Sequence, residues 1–160
     1  LLQHEEIPSP VGPLRLVADG EWVTQIAFRA DLCPPPPTSL PAKVPVLGRA
    51  AGQLREYFAG TRRTFDLPLD PRGTPFQLQV WELLRSIPYG ETTSYGAIAE
   101  QLGDPGAARA VGAANHHNPL PIVIPCHRVI GASGRLVGFG GGLAIKAELL
   151  ALERGERRLF

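Results

Sequence analysis

Apolar and polar positions change rhythm several times along this chain. Short apolar runs at residues 14–18 and 22–28, separated by turn signals at residues 10–13 and at Asp19 and Gly20, predict β-hairpin material over residues 1–30. Pro34, Pro35, Pro36 and Pro37 supply no backbone donors and predict an extended surface connector. The rhythm then becomes helical. Leu47, Ala50, Ala51, Leu54 and Phe58 recur at helical spacing before Gly60, predicting a helix over 46–58, and a short strand is expected over 64–69.

At Gly73 the texture changes, and a domain boundary is expected there. Thr74 and Pro75 make a cap followed by proline at the first helical position. Phe76, Val80, Leu83 and Leu84 give that helix its apolar face as far as Ser86. After Pro88, Tyr89 and Gly90, a helix over 94–102 carries Tyr95, Ile98, Ala99 and Leu102. Gly103 to Gly106 form a tight turn, and a further helix is predicted over 107–115, so the pair is a helix-turn-helix candidate. Ile122, Val123 and Ile124, fenced by Pro119, Pro121 and Pro125, read as a buried strand that delivers Cys126 and His127 at its end. Gly138, Gly140, Gly141 and Gly142 mark a close-approach loop before a final helix over 143–153. The expected fold class is therefore α/β (α+β). Residues 1–72 form a small N-terminal α/β lobe with antiparallel hairpins. Residues 73–160 form a mostly helical C-terminal lobe with the helix-turn-helix and the cysteine.

Composition narrows the function classes. A chain of 160 residues that is 44% apolar can bury a real core. Lys and Arg number 16 against 15 Asp and Glu, so global charge does not point to a polyanionic partner and any such contact must use a local surface. No stretch approaches the roughly 20 apolar residues of a membrane span, and no secretory h-region opens the chain, so a cytoplasmic protein with no membrane partner is expected. Cys33 and Cys126 are too few for a disulfide scaffold, and the four histidines form no ligand pattern with them, so no metal is expected. Neither a GxGxxG nor a P-loop string is present, and no cofactor is expected. Cys33 is read as an inert small hydrophobe.

Cys126 is the best nucleophile in the sequence, but burial at the end of an apolar strand raises a thiol above its reference pKa of about 8.5, so it needs a base. His127 is adjacent, and neighbours on an extended backbone point to opposite faces; contact requires a turn here or a bridging water, of which the water is preferred. A carboxylate behind the imidazole would complete a relay, and Glu153, on the helix face of Leu149 and Leu150, is the leading candidate. The helix over 107–115 has few side chains that read base edges in the major groove. Its Arg109, Gly112 and Ala113 face, with Ala108 beside it, is nearly bare backbone. Such a face suits the minor groove, with Arg109 entering the stack where a base has left it, or else simply close packing on a neighbouring helix.

The string Asn118, Pro119, Leu120, Pro121, three aliphatics, Pro125, Cys126, His127, Arg128, Val129, Ile130, Gly131 closely resembles the active-site signature of the O6-alkylguanine-DNA alkyltransferases, the methylated-DNA–protein-cysteine methyltransferases. The resemblance extends over residues 73–153 and includes Tyr95 with Gly96, the helix of Arg109 to Gly112 and the Gly-rich loop. Residues 1–72 resemble the variable N-terminal lobe of that family. The resemblance implies direct reversal of DNA damage. A flipped O6-alkylguanine, and as a further candidate O4-alkylthymine, would give its alkyl group irreversibly to Cys126, one transfer per molecule.

On this reading His127 acts through water, Glu153 orients His127, and Asn118 stabilises the cysteine-bearing turn. Arg109 fills the gap left by the base, and Tyr95 donates to guanine N3. The amide of Gly140 meets O6, the carbonyls of Cys126 and Val129 accept from the exocyclic amine, and Pro121 and Phe139 wall the alkyl group. Double-stranded DNA contacted through its minor groove and a monomeric protein are implied. Phe139 stands where many relatives have Tyr, and Gly140 where some have Ser. Competing readings are a non-catalytic lesion-binding relative, against which the intact Cys126 argues; a helix-turn-helix regulator, against which the Ala-rich helix argues; and a Cys-His hydrolase.

Overall fold

In the computed structural model, residues 1–156 are described; residues 157–160, the end of the second expected domain, lie outside the described residues. The chain divides into two compact units, one over residues 1–72 and one beginning at Gly73. The architecture is α+β, a mixed sheet with helices.

In the first unit, strands β1 (Leu2–Ile7), β2 (Leu14–Asp19), β3 (Trp22–Ala27) and β4 (Leu40–Pro41) form a sheet in the order β3-β2-β1-β4. β1 pairs antiparallel with β2, β2 antiparallel with β3, and β4 parallel with β1. The expected hairpin is β2–β3, turning at Gly20, whose φ of 62° is open to glycine at no steric cost. β2 is central, and Leu14, Leu16, Val17 and Ala18 are buried along it without alternation. Helix α1 (Pro45–Phe58) covers the sheet with Val46, Leu47, Ala50, Ala51, Leu54 and Tyr57 buried. Residues 34–37 form no helix or strand.

The strand expected over 64–69 does not form. Arg49 and Gln53 of α1 donate to the carbonyl of Asp66, and the Gln53 Oε1 accepts from its amide, so helix side chains occupy backbone groups a ladder would use. Pro68 has no N–H to offer. Only Leu69 makes a bridge, parallel to Val23. Cys33 also differs from expectation: it is exposed, on a turn rather than in a core.

In the second unit, helix α2 (Pro75–Arg85) begins with a capping box: the Gln77 amide donates to the Thr74 hydroxyl at 3.2 Å and the Thr74 amide to Gln77 Oε1 at 2.9 Å. The two-residue strand β5 (Thr93–Ser94) pairs parallel with β6 (Val129–Ile130), and Ser94 caps helix α3 (Tyr95–Gln101) by accepting from the Ala97 amide. A 3₁₀ turn (Pro105–Ala107) leads into helix α4 (Ala108–His116). α4 packs on both α2 and α3, and the Trp81 indole of α2 donates to the Ala114 carbonyl of α4 at 2.8 Å, satisfying the polar end of a buried ring. Helix α5 (Leu143–Glu153) has the bounds the sequence predicts and packs against the turn Cys126–Arg128.

The strand expected at Ile122, Val123 and Ile124 is instead a buried turn. Asn118 ties it off, its Nδ2 donating to the Ile124 carbonyl at 2.7 Å and its Oδ1 accepting from the Leu120 amide at 3.0 Å. The Ile124 amide closes onto the Leu120 carbonyl. Ile122 has φ 74°, a left-handed conformation costly for a β-branched residue, and it is buried at 1% exposure. The burial was legible in the apolar triplet. The conformation was not, because the three prolines remove ladder donors and the Asn118 side chain supplies a substitute.

Candidate active site

Cys126 opens a 3₁₀ turn (Cys126–Arg128), with its own amide donating to the Ile124 carbonyl and the Arg128 amide to the Pro125 carbonyl. The expectation of an extended strand end is thus corrected: the backbone turns here. The thiol is buried, with 4% of Cys126 exposed. Burial pushes it up to about 11, against smaller opposing effects from Asn118, the Lys146 charge and the amides of Cys126 and His127. At neutral pH the resting group is a thiol.

His127 is fully buried, and Glu153 Oε2 lies 2.6 Å from its Nε2. Burial lowers the imidazole below its ordinary value, outweighing the pull of Glu153 in the other direction. Burial alone would raise the Glu153 carboxyl. Hydrogen bonds and charge from His127 and Arg128 outweigh it and hold Glu153 well below the usual carboxylate range. Glu153 Oε1 accepts from Arg128 Nε at 2.8 Å and from the Gly90 amide at 3.2 Å, and Oε2 accepts from Arg128 Nη2 at 3.1 Å. A carboxylate only accepts, so Nε2 of a neutral His127 carries the proton and Nδ1 keeps its lone pair. That Nδ1 is buried with no hydrogen-bond partner among the described residues.

Tyr95 is half-buried, and its hydroxyl donates to the Val137 carbonyl at 3.0 Å. Burial raises its pKa, as does a charge on Cys126, while the nearby Asn115 side chain opposes both. Pro121, Val129 and Phe139 are buried. Gly140 is exposed, and a Cβ there would stand an ordinary 3.6 Å from the His116 carbonyl. On α4, Arg109 and Ala113 are exposed, and Ala108 and Gly112 half-buried. A Cβ on Gly112 would meet the Tyr95 ring at 3.9 Å, an ordinary contact, so packing inside the protein does not call for glycine here.

Three buried polar residues escaped the sequence reading. Arg128 grips Glu153 and also donates to the Ile87 carbonyl at 2.6 Å. Lys146, fully buried, donates to the carbonyls of Val129 at 2.6 Å and Val137 at 2.9 Å. Asn115 donates to the Cys126 carbonyl at 3.3 Å. The signal for Lys146 was its place on the α5 stripe of Leu149, Leu150 and Glu153, and for Asn115 its spacing from Val111; Arg128 offered none beyond its neighbours. Among the described residues no three His, Cys, Asp or Glu side chains converge to hold a metal ion, and no helix is long and apolar enough to cross a membrane.

A helix-turn-helix pair beside a buried cysteine, with a histidine and carboxylate joined to each other, defines a DNA-binding type of domain that carries a cysteine-histidine site. Family models place it more closely: residues 75–155 match the 6-O-methylguanine DNA methyltransferase DNA binding domain, and residues 3–71 match that family's ribonuclease-like domain. The chain belongs to the 6-O-methylguanine DNA methyltransferase family. It is 50% identical over 154 residues to the methylated-DNA–protein-cysteine methyltransferase of Mycobacterium tuberculosis, covering 96% of this chain and 93% of the relative. To the protein of that name from Methanosarcina acetivorans it is 47% identical over 146 residues, 91% of this chain and 94% of the relative. A crystal structure of a Mycobacterium tuberculosis O6-methylguanine methyltransferase superposes with a TM-score of 0.90 at 48% identity, covering 99% of this chain and 96% of that one. A Mycobacterium tuberculosis relative in complex with DNA superposes at 0.89 and 50% identity, covering 96% and 94%.

Proposed function

We propose that the protein reverses alkylation damage in DNA by taking the alkyl group of a flipped O6-alkylguanine onto Cys126, once per molecule. The observation that carries the reading is the pairing of His127 Nε2 with Glu153 Oε2 at 2.6 Å, which leaves a buried basic nitrogen next in sequence to a buried thiol. His127 Nδ1 takes the thiol proton through a water. Sulfur bonds to the alkyl carbon, the bond from that carbon to O6 breaks, and the electron pair passes into the guanine ring. Tyr95 donates at N3 to disperse that charge, releasing the hydroxyl from Val137, and the amide of Gly140 meets O6. The base then regains the proton that the thiol lost, so protein and DNA together neither gain nor lose one. A thioether sulfur is a very poor leaving group toward water, and the transfer is stoichiometric.

The carbonyl of Cys126 accepts from the exocyclic amine, together with the lone pair of the Val129 carbonyl that Lys146 leaves open. Pro121 and Phe139 wall the alkyl group, and Asn118 holds the turn that bears the thiol. The α4 face of Ala108, Gly112 and Ala113 lies on the minor groove of double-stranded DNA, and Arg109 fills the vacated stack. Residues 73–160 bind DNA and accept the alkyl group, residues 1–72 are scaffold, and the protein works as a cytoplasmic monomer.

Intact-protein mass spectrometry after exposure to excess O6-methylguanine duplex tests this. A gain of one methylene mass per molecule, mapped to the Cys126 peptide and absent in Cys126→Ala, is expected. Many demethylated bases per protein molecule, or an active Cys126→Ala, would overturn it.

A further inference from the structure

Asn115 is 1% exposed and lies near the C-terminal end of α4. Its Nδ2 donates to the Cys126 carbonyl at 3.3 Å. Its Oδ1 is buried with no hydrogen-bond partner among the described residues. A buried amide oxygen left unsatisfied is costly, and isosteric apolar side chains would avoid that cost. The amide orientation is fixed by its neighbours, because a flip would set Oδ1 against the Cys126 carbonyl.

The group Asn115 touches is one assigned above to the guanine edge, the Cys126 carbonyl that accepts from the exocyclic amine. We infer that Asn115 is a specificity-determining positioning residue, an amide that aims the guanine-reading carbonyl of Cys126 and ties it to α4. The inference rests on the alkyl-transfer reading of the site. One Nδ2 proton aims the Cys126 carbonyl. Because the Asn115 backbone belongs to α4, a shift of that helix on DNA would reach the Cys126 carbonyl through this one side chain.

The test compares single-turnover methyl transfer from duplexes carrying O6-methylguanine and O6-methylhypoxanthine, which differ only in the exocyclic amine. Asn115→Leu keeps the branched shape and removes the amide. It should slow transfer from O6-methylguanine by about tenfold, the scale of one misplaced hydrogen bond, and transfer from O6-methylhypoxanthine by less, so that the preference for guanine narrows. Asn115→Ser, a smaller change, should narrow it in the same direction and serves where the leucine variant does not fold. An equal fall on both substrates would make Asn115 merely structural, and an unchanged ratio in a folded variant overturns the inference. If the parent protein takes no methyl group from either duplex, the transfer reading itself fails, an outcome distinct from a parent that reacts and a variant that keeps its preference.

Discussion

Glu153 meets His127 through Oε2 at 2.6 Å while Arg128 grips the same carboxylate through Nε and Nη2. The carboxylate therefore does two things. It fixes which imidazole nitrogen carries the proton, and it offsets the buried guanidinium. Both depend on one side chain at the last residue of α5 reaching a turn 26 residues earlier in the chain.

Removing the imidazole should cost more than neutralising its partner. His127→Phe deletes the proton acceptor and should slow single-turnover transfer by about 100-fold or more. Glu153→Gln keeps an oxygen that can accept from Nε2 but loses the charge that stabilises an imidazolium, and should slow transfer by a smaller factor. Rapid-quench measurement on O6-methylguanine duplex orders the two, and an unchanged rate in His127→Phe would remove it from the proton path.

Acid should weaken this fold in two steps. The folded pKa of His127 lies below its ordinary value of 6.5 and that of Glu153 below 4.5, so both groups bind protons more readily in the unfolded chain. Their contributions are present above those values and are lost as pH falls below them, from about pH 6.5 for His127 and about pH 4.5 for Glu153. Glu153→Gln should remove the lower step. At neutral pH it should also cost about 3–5 kcal/mol, because it leaves the buried Arg128 unpaired. Urea midpoints at a series of pH values check both parts, and a variant with the parent's acid profile contradicts the assignment.

Much of this was legible in the sequence because local rules and burial agree. The Thr74, Pro75 start of α2, the bounds of α5 and the spacing of Glu153 on the Leu149 and Leu150 stripe each follow from a period and a cap. The two strands that did not form share one cause: side chains that take over backbone hydrogen bonds. Asn118 folds an apolar triplet into a turn, and Gln53 with Arg49 holds residues near Asp66 out of a strand. Such long-range capture leaves no period to read. Lys146 and Arg128 were missed similarly, since their partners are carbonyls and a carboxylate fixed only by the tertiary fold.

The two cysteines should separate cleanly by reactivity. Cys33 is exposed, whereas Cys126 is buried with its thiol pushed up to about 11, so little thiolate is present and access is restricted. An aromatic disulfide reagent should label one thiol quickly and the second only slowly in native buffer, and both quickly in denaturant. Loss of the fast phase in Cys33→Ser and of the slow phase in Cys126→Ala assigns them. Rapid labelling of Cys126 in the folded protein would contradict the closed site.

Gly112 separates stability from DNA binding. A Cβ there would stand 3.9 Å from Tyr95, within ordinary contact, and the residue lies inside α4. Alanine in a helix interior is favoured over glycine by up to about 1 kcal/mol, so Gly112→Ala should keep or raise the melting temperature. If the half-buried glycine and the exposed Arg109 and Ala113 form the face that lies on the minor groove, the added methyl group stands between helix and duplex and weakens binding. Calorimetric melting and duplex titration of the same variant measure the two effects apart. A lowered melting temperature would make the glycine a packing requirement within the protein, and an unchanged affinity would move the DNA to another surface.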